Sequence, residues 1–486
     1  MENNDILKNN KIVIGYDTRQ YSYTFSNICG KVLNKLGFKI IVFKGYTQTP
    51  MLSFMIKELK CIGGIMITAS HNPYNYNGIK LYNSDGGQLT NEQSKMFKKI
   101  FNKEYDYFEA DKGIYIPEKI NKKYYLKYYQ TLEKLCLFGN DYNSYNIIVS
   151  PLHGTSIKYI DIIFQKLKYN YQMPDSQNIV DPLFSTIKSP NPEEIESFKE
   201  SLKLSKKVKA DLILAIDPDS DRIGALCFNN KNGLYYHMNG NEVAAIIFYF
   251  LCENNFYNAN ILNDKMFFVT TIVSNDLIEK IGKDYNVDCF RVLTGFKNIN
   301  EKIISLSKDN YSFVFAFEES CGYLALDSVG DKDAFQGAIL IVEALKYYKR
   351  KNISLYNLLQ NLYKKYGYYI DKQITYRIVN QNNISYIMDN FRNIIKNTEM
   401  FNIYKFCDYY EGKEYDNNMT YIKDTEYKNE NIIKVYFDKE SWFAVRPSGT
   451  EPKVKIYISS VDKSKEKAMM KLKLIEEKIN MCINER

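Results

Sequence analysis

Asp211-Leu212-Ile213-Leu214-Ala215-Ile216-Asp217-Pro218-Asp219-Ser220-Asp221-Arg222 runs from an apolar segment straight into a loop with three carboxylates. The apolar part is short and rich in branched side chains, so it reads as a buried strand. The acids then stand at alternate positions, and alternate side chains of an extended loop point the same way. Pro218 biases Asp217 toward that extended geometry. Three hard oxygen ligands on one side suit Mg²⁺, which takes carboxylates together with phosphate and water. A calcium loop of the EF-hand kind fails, because Arg222 stands where it needs Gly and Phe228 where it needs Glu. An acidic turn after a strand is the plain alternative. Against it, three carboxylates repel one another unless a cation sits among them.

The same grammar recurs along the chain. Lys11–Gly15 leads into Tyr16-Asp17-Thr18-Arg19, with a helical pattern to Leu36. Ile65–Ile67 leads into Thr68-Ala69-Ser70-His71-Asn72-Pro73, and Asn146–Ser150 into Pro151-Leu152-His153-Gly154-Thr155. Ser312–Phe317 leads into Glu318-Glu319-Ser320-Cys321-Gly322. Strands alternating with helices indicate α/β domains, whose ligands sit beyond the carboxyl ends of the strands. Tyr124–Phe138 reads as a connecting helix, Gly139–Ser144 as a loop after it, and Asn229–Gly233 as a second break. From Lys372 onward, strands plus a final helix indicate an α+β domain. In that last helix Ala468, Leu472, Ile475 and Ile479 share the face opposite the lysines of Lys463–Lys478.

Several of these loops carry chemistry. In Thr68–Pro73 a hydroxyl stands beside an imidazole, so Ser70 is a candidate nucleophile or phosphate carrier with His71 as its partner. On spacing alone, a turn closed by Asn-Pro with an exposed serine is the better reading. Arg446-Pro447-Ser448-Gly449-Thr450-Glu451-Pro452-Lys453 combines an anion-holding glycine turn with a guanidinium that grips phosphate through two parallel bonds. A surface loop is its alternative. Glu318 has the acceptor oxygens that vicinal sugar hydroxyls need, although acids at a helix start read the same way. Thr294-Gly295-Phe296-Lys297 is a turn with one cation, which taken alone is better explained as a solvated lysine. His153 reads as a residue that ties loops together, and His237 as a surface or packing residue.

Composition narrows the class. At 486 residues the chain is too long for one core. The net charge of +8 fits anionic ligands, but no arginine-rich arm or nucleic-acid motif accompanies it. The 9 cysteines are odd in number and without a CxxC pair, which argues against a disulfide framework and a structural zinc site. Met1–Asn10 is polar and lacks a signal core, and the longest apolar run, Val243–Cys252, is far short of the ~20 residues a membrane helix needs. The expectation is a cytoplasmic protein with no membrane and no nucleic-acid partner.

Taken in order, TASHNP, DPDSDR, EESCG and RPSGTEP resemble the signature loops of the α-D-phosphohexomutase superfamily, which contains phosphoglucomutase and phosphomannomutase. GYDTR, PLHGT and TGFK also match, and FEESCGY with RPSGTEPK is similar to the phosphoglucomutase-2 branch. That branch holds phosphoglucomutases, phosphopentomutases and glucose-1,6-bisphosphate synthases. The resemblance implies three similar mixed-sheet α/β domains plus a smaller C-terminal α+β domain around a central cleft. The corresponding boundaries are 1–138 for the phosphoserine domain, 139–237 for the metal domain, 238–371 for the sugar domain and 372–486 for the phosphate domain. It implies that Ser70 carries the phosphate and, with Asp217, Asp219 and Asp221, holds one Mg²⁺. His71, Lys80 and Arg222 would handle protons or neutralise charge. Lys297, Glu318 and Ser320 would hold the sugar, and Arg446, Ser448, Gly449 and Thr450 the non-reacting phosphate.

The implied reaction interconverts hexose 1-phosphate and hexose 6-phosphate, of glucose or mannose, with glucose 1,6-bisphosphate as intermediate and activator. A phosphopentomutase, a bisphosphate synthase or a catalytically impaired sugar-phosphate binder are the alternatives. The partners are small sugar phosphates, and the chain is a monomer or homodimer. Two departures stand out. The family's first domain usually opens with a strand and a glycine–arginine loop of the GTxGxRG kind, whereas here the chain enters at Lys11–Gly15. The expectations are a longer natural chain or a weakened enzyme. Asp331-Lys332-Asp333-Ala334 has Ala where the family has Gly, which predicts a changed loop shape.

Overall fold

The computed structural model describes residues 10–101, 115–138, 145–254, 265–377, 382–397, 402–448 and 453–484. The chain divides into two compact units, 1–272 with 281–359 and 273–280 with 360–486.

The first unit holds three mixed sheets. One has the order Ile79–Asn83, Gly63–Ile67, Lys11–Tyr16, Lys39–Val42, Glu118–Lys119. Its last four strands are parallel and Ile79–Asn83 is antiparallel. The second runs Leu234–Met238, Ile223–Asn229, Leu212–Ile216, Ile147–Ser150, Tyr171–Gln172. The third runs Val287–Val292, Met266–Thr271, Ser312–Glu318, Gly322–Leu324. Strand Leu212–Ile216 is wholly buried, which is why it reads as an unbroken apolar run instead of an alternating one. The expected break at Asn229–Gly233 is the turn of a hairpin inside the second sheet, with Asn229 opposite Leu234.

The apolar run Val243–Cys252 lies in helix Gly240–Glu253, which is buried along most of its length. A capping box starts it: the Asn239 side chain accepts from the Glu242 N–H, and the Glu242 carboxylate accepts from the Asn239 N–H. Among the described residues, no helix is long and apolar enough to cross a membrane.

The second unit carries one seven-stranded antiparallel sheet, in which Tyr368–Arg377 pairs with Lys453–Asp462 over its whole length. Its core includes Phe391, Phe406, Phe443 and Ile456, closed by helix Lys465–Asn484 through Ile475 and Ile479. Ala468 and Leu472 lie on the same helix face, Ala468 fully buried and Leu472 packed against the core, while Lys471 turns from the expected wet face to donate to the Val461 carbonyl at 2.7 Å.

Ala334 does not distort its loop. It is the first residue of helix Ala334–Arg350, a position any residue adopts, and Asp333 caps the helix. Asp333 Oδ1 accepts from the Phe335 N–H at 2.9 Å, and its Oδ2 accepts from the Tyr128 hydroxyl at 2.9 Å. Burial pushes this carboxyl up to about 6 against those hydrogen bonds. The native state thus holds a proton that the unfolded chain releases near ~3.9, so this group's contribution to stability falls as pH rises through that window. Asp333→Ala removes the cap and orphans a buried hydroxyl. It should cost about 2–4 kcal/mol, read as a lower midpoint in thermal or urea unfolding, with Asp333→Asn costing less.

Candidate active site

The acidic loop is a tight turn, not an extended segment. The Ser220 N–H donates to the Asp217 carbonyl at 2.9 Å, and Ser220 has φ +60°. The three carboxylates converge all the same, with their ligand oxygens within 4.8 Å of one another. All three are fully buried. Pro151–Thr155 forms the bed of the turn. The Thr155 N–H donates to the Pro218 carbonyl at 2.7 Å, and the Thr155 and Ser220 hydroxyls share a hydrogen bond of 2.8 Å. A Cβ on Gly154 would lie 2.4 Å from Pro218 Cα, so only glycine lets the two loops touch. His153 secures this bed: its ring nitrogens meet the Ile179 carbonyl at 2.9 Å and Thr186 Oγ1 at 2.7 Å. His237 packs its ring against Phe198.

Ser70 reaches this cluster from the first sheet. Its hydroxyl donates to Asp217 Oδ2 at 3.1 Å and stands 3.4 Å from His71 Nδ1. Asp217 Oδ1 accepts the N–H groups of Asp221 and Arg222 at 3.0 and 2.9 Å. Lys80, on the strand that follows the serine loop, donates to Asp219 Oδ2 and Asp221 Oδ2, each at 2.7 Å. Arg222 pairs with Glu193 at 3.0 Å.

The electrostatics follow from this geometry. Burial and the charges of Asp221 and Asp219 push the Asp217 carboxyl well above its usual range. Burial also opposes ionisation of Asp221, but Lys332, Lys80 and Arg222 outweigh it and hold that carboxyl well below the usual range. Burial alone would lower the Lys80 ammonium, whereas Asp219, Asp221 and Asp331 raise it well above its ordinary value.

The donor set fits a hard divalent cation. Asp219 Oδ1 and Asp221 Oδ1 are buried and accept no hydrogen bond. Asp221 Oδ1 lies 3.8 Å from Arg222 Nε, and Asp219 Oδ1 has no such neighbour among the described residues. Buried carboxylate oxygens without hydrogen bonds are costly, and a bound cation would relieve that cost. With Asp217 Oδ2 and Ser70 Oγ they form an all-oxygen set of the kind Mg²⁺ prefers over softer ligands.

Two contacts carry no signal in the sequence pattern. Lys332 Nζ lies 3.1 Å from Asp221 Oδ2, a second buried ammonium on the acid cluster. Thr49 donates through Oγ1 to Asp219 Oδ2 at 2.7 Å and through its N–H to the Asp219 carbonyl at 2.8 Å.

Glu318 ends its strand and is buried, and Ser320 lies half-buried in the turn after it. Gly240 backs this turn, since a Cβ there would lie 2.0 Å from the Glu319 carbonyl oxygen. Lys297 is half-buried in the first turn of helix Phe296–Lys308. In the second unit Arg446 is the penultimate residue of strand Trp442–Pro447, with Nε 3.4 Å from the Tyr457 hydroxyl, and the Ser448 N–H donates to the Lys453 carbonyl at 2.8 Å. Gly449, Thr450 and the loop Gly139–Ser144 lie outside the described residues.

A hydroxyl held on a trio of acids, flanked by ammonium groups and at the carboxyl ends of α/β sheets, is equipment for phosphoryl transfer. Four family models match along the chain. They are Phosphoglucomutase/phosphomannomutase, alpha/beta/alpha domain I over residues 1–108, domain II over 125–230, domain III over 239–366, and the C-terminal domain over 411–472. A phosphoglucomutase of Staphylococcus haemolyticus (strain JCSC1435) is 34% identical over 465 residues, covering 93% of this chain and 83% of the relative. One of Staphylococcus aureus (strain USA300) is 32% identical over 464 residues, covering 92% and 81%.

Two solved structures share the fold. A phosphoglucomutase/phosphomannomutase family protein from Burkholderia thailandensis has TM-score 0.69 at 14% identity, covering 98% of this chain and 90% of the other. Parafusin, a phosphoglucomutase from Paramecium in its open form, has TM-score 0.68 at 16% identity, covering 98% and 88%. The chain belongs to the phosphoglucomutase/phosphomannomutase family.

Proposed function

We propose that this chain is a Mg²⁺-dependent phosphohexomutase that interconverts hexose 1-phosphate and hexose 6-phosphate through phospho-Ser70 and a bisphosphate intermediate. The observation that carries the reading is the Ser70 hydroxyl 3.1 Å from Asp217 within a buried acid trio, two of whose oxygens accept no hydrogen bond. Ser70, Asp217, Asp219 and Asp221 would hold Mg²⁺, which when bound supplies positive charge against the transferring phosphoryl group.

This chain's own residues do the rest. In the first half-reaction the P–O bond to Ser70 Oγ breaks as a sugar hydroxyl oxygen bonds to phosphorus, and in the net step that hydroxyl's proton ends on Ser70 Oγ. In the second, Ser70 Oγ bonds to the phosphorus of the sugar's other phosphate as the P–O bond to the sugar oxygen breaks, and in the net step the serine proton ends on that sugar oxygen. Lys80, kept as an ammonium by Asp219 and Asp221, is placed to balance charge and to protonate the departing oxygen. His71 is the imidazole at the seryl oxygen. Arg222 adds charge stabilisation. Glu318, Ser320 and Lys297 orient the sugar, and Arg446, Ser448, Gly449 and Thr450 hold its other phosphate. The domains on this reading are 1–138, 139–237, 238–371 and 372–486. The enzyme works in the cytoplasm on small sugar phosphates, as a monomer or homodimer.

The test is a rate comparison on glucose 1-phosphate, mannose 1-phosphate and ribose 1-phosphate, with catalytic glucose 1,6-bisphosphate and Mg²⁺. Turnover of a hexose 1-phosphate is expected. Chelation should lower it on the order of 100-fold or more, with recovery on adding Mg²⁺ back. Absence of turnover on every hexose substrate sinks the reading, and net release of inorganic phosphate replaces it with a phosphatase.

A further inference from the structure

The segment Tyr16-Asp17-Thr18-Arg19 takes no part in the chemistry above, yet its arginine grips the serine loop by the backbone. Arg19 is buried. Its Nη2 donates to the carbonyls of Ser70 and Asn72 at 2.5 and 2.6 Å, and its Nη1 to those of Pro73 and Tyr76 at 2.8 and 3.1 Å. Its Nε is ion-paired with Asp17 Oδ2 at 3.1 Å, and its guanidinium carbon lies 4.9 Å from the centre of the Phe184 ring. Asp17 is itself fixed by the Ser22 hydroxyl at 2.7 Å. Asn77 donates to Ser22 Oγ at 3.0 Å, which ties the far end of the serine loop to the same anchor.

Four carbonyls of one short loop do not converge through helix or strand geometry, which spreads carbonyls along an axis. They converge here on a planar fork of donors that lysine does not reproduce. Ser70 moreover sits at φ +51°, a conformation that non-glycine residues hold only when their surroundings impose it. The shortest of the four bonds is to the carbonyl of that same residue.

We propose that Arg19 is a positioning residue: by holding the carbonyls of Ser70, Asn72, Pro73 and Tyr76 it fixes the left-handed turn at Ser70 and so aims the seryl oxygen along the line of phosphoryl transfer. This rests on the mutase reading above. Arg19 acts through the loop backbone, its donors being directed at the four carbonyls and at Asp17. In-line transfer needs near-attack alignment, and a displacement of about 1 Å costs on the order of 100-fold in rate.

The experiment is single-turnover. Full-length enzyme is phosphorylated at Ser70 with labelled glucose 1,6-bisphosphate, separated, and mixed with excess glucose 1-phosphate and Mg²⁺. The rate constant for label transfer is counted only over phosphorylated molecules, so it is insensitive to the fraction misfolded. Arg19→Lys should transfer on the order of 100-fold more slowly than wild type, with the glucose 1-phosphate and Mg²⁺ concentrations for half-saturation changed by no more than about threefold. Arg19→Ala should slow similarly and recover in part when guanidinium ion is added. Phe184→Leu removes the ring beneath the guanidinium but none of the four hydrogen bonds, and should stay within about threefold of wild type. Transfer by Arg19→Lys at the wild-type rate overturns the inference, and so does an equal loss in Phe184→Leu, which would assign the effect to packing. Wild-type protein that accepts no label at Ser70 refutes the mutase reading itself, an outcome visible before any variant is made.

Discussion

Ser70→Ala should lose mutase turnover altogether, by on the order of 10⁴-fold or more, while still binding hexose phosphate. The reasoning is chemical. Alanine has no oxygen to carry the phosphate, and the neighbouring hydroxyls are engaged elsewhere: Thr68 Oγ1 accepts from the Ser70 N–H at 2.9 Å, and Ser189 Oγ donates to the His71 carbonyl at 3.2 Å. The fold should survive. The substitution removes the hydroxyl's contacts to Asp217 Oδ2 and His71 Nδ1, worth about 1 kcal/mol each at most. Ser70→Gly is the matched control, because glycine relaxes at φ +51° where alanine does not. The glycine variant should be equally inactive and no less stable. Isothermal titration with glucose 6-phosphate reads binding, a coupled assay reads turnover, and intact mass after incubation with glucose 1,6-bisphosphate reads the phosphoenzyme. A phosphate increment on Ser70→Ala, or turnover near the wild-type rate, would place the phosphate carrier elsewhere.

The α/β character is legible in the sequence for a physical reason. Strands covered on both faces are apolar throughout, so Leu212–Ile216 and Ile147–Ser150 stand out as unbroken runs before polar loops. The C-terminal sheet is harder to read. Tyr368–Arg377 starts four residues before the point that its pattern suggests, because a strand with one wet face mixes aromatic and charged residues. The acid trio is visible because its members are close in sequence. The manner of their convergence is not, since a left-handed Ser220 makes a turn where Pro218 argues for extension.

Contacts made by single residues from distant elements leave no local pattern at all. Lys332 meets Asp221, and Thr49 meets Asp219, only through tertiary packing. Ala334 illustrates the converse error: a glycine-to-alanine difference signals strain only where φ is positive, and here the position is the first turn of a helix.

Asp217→Asn should separate activity from stability, with opposite signs. Asparagine is isosteric, and its Oδ1 can keep the two backbone N–H bonds from Asp221 and Arg222. What changes is charge. In metal-free protein, Asp217 is a buried carboxylate beside two others, and its raised pKa means that ionising it opposes folding. The sign follows from proton counts. The native state holds the Asp217 proton at pH values where the unfolded chain, near ~3.9, has released it. Stability therefore falls as pH rises above that value toward the native pKa, and the loss persists at higher pH. With chelator at neutral pH, Asp217→Asn should raise the apparent Tm by about 3–6 °C and flatten this pH dependence. With saturating Mg²⁺ the order should reverse. Wild type gains about 2.7 kcal/mol at a hundred times its Kd, while a neutral ligand in place of a carboxylate weakens binding on the order of 100-fold. Mutase kcat should fall by on the order of 10³-fold. Thermal scans with chelator and with Mg²⁺, run beside the coupled assay, read all three. A variant less stable than wild type in chelator would mean that the acids are reconciled by Lys80, Lys332 and Arg222, with no vacancy for a cation among them.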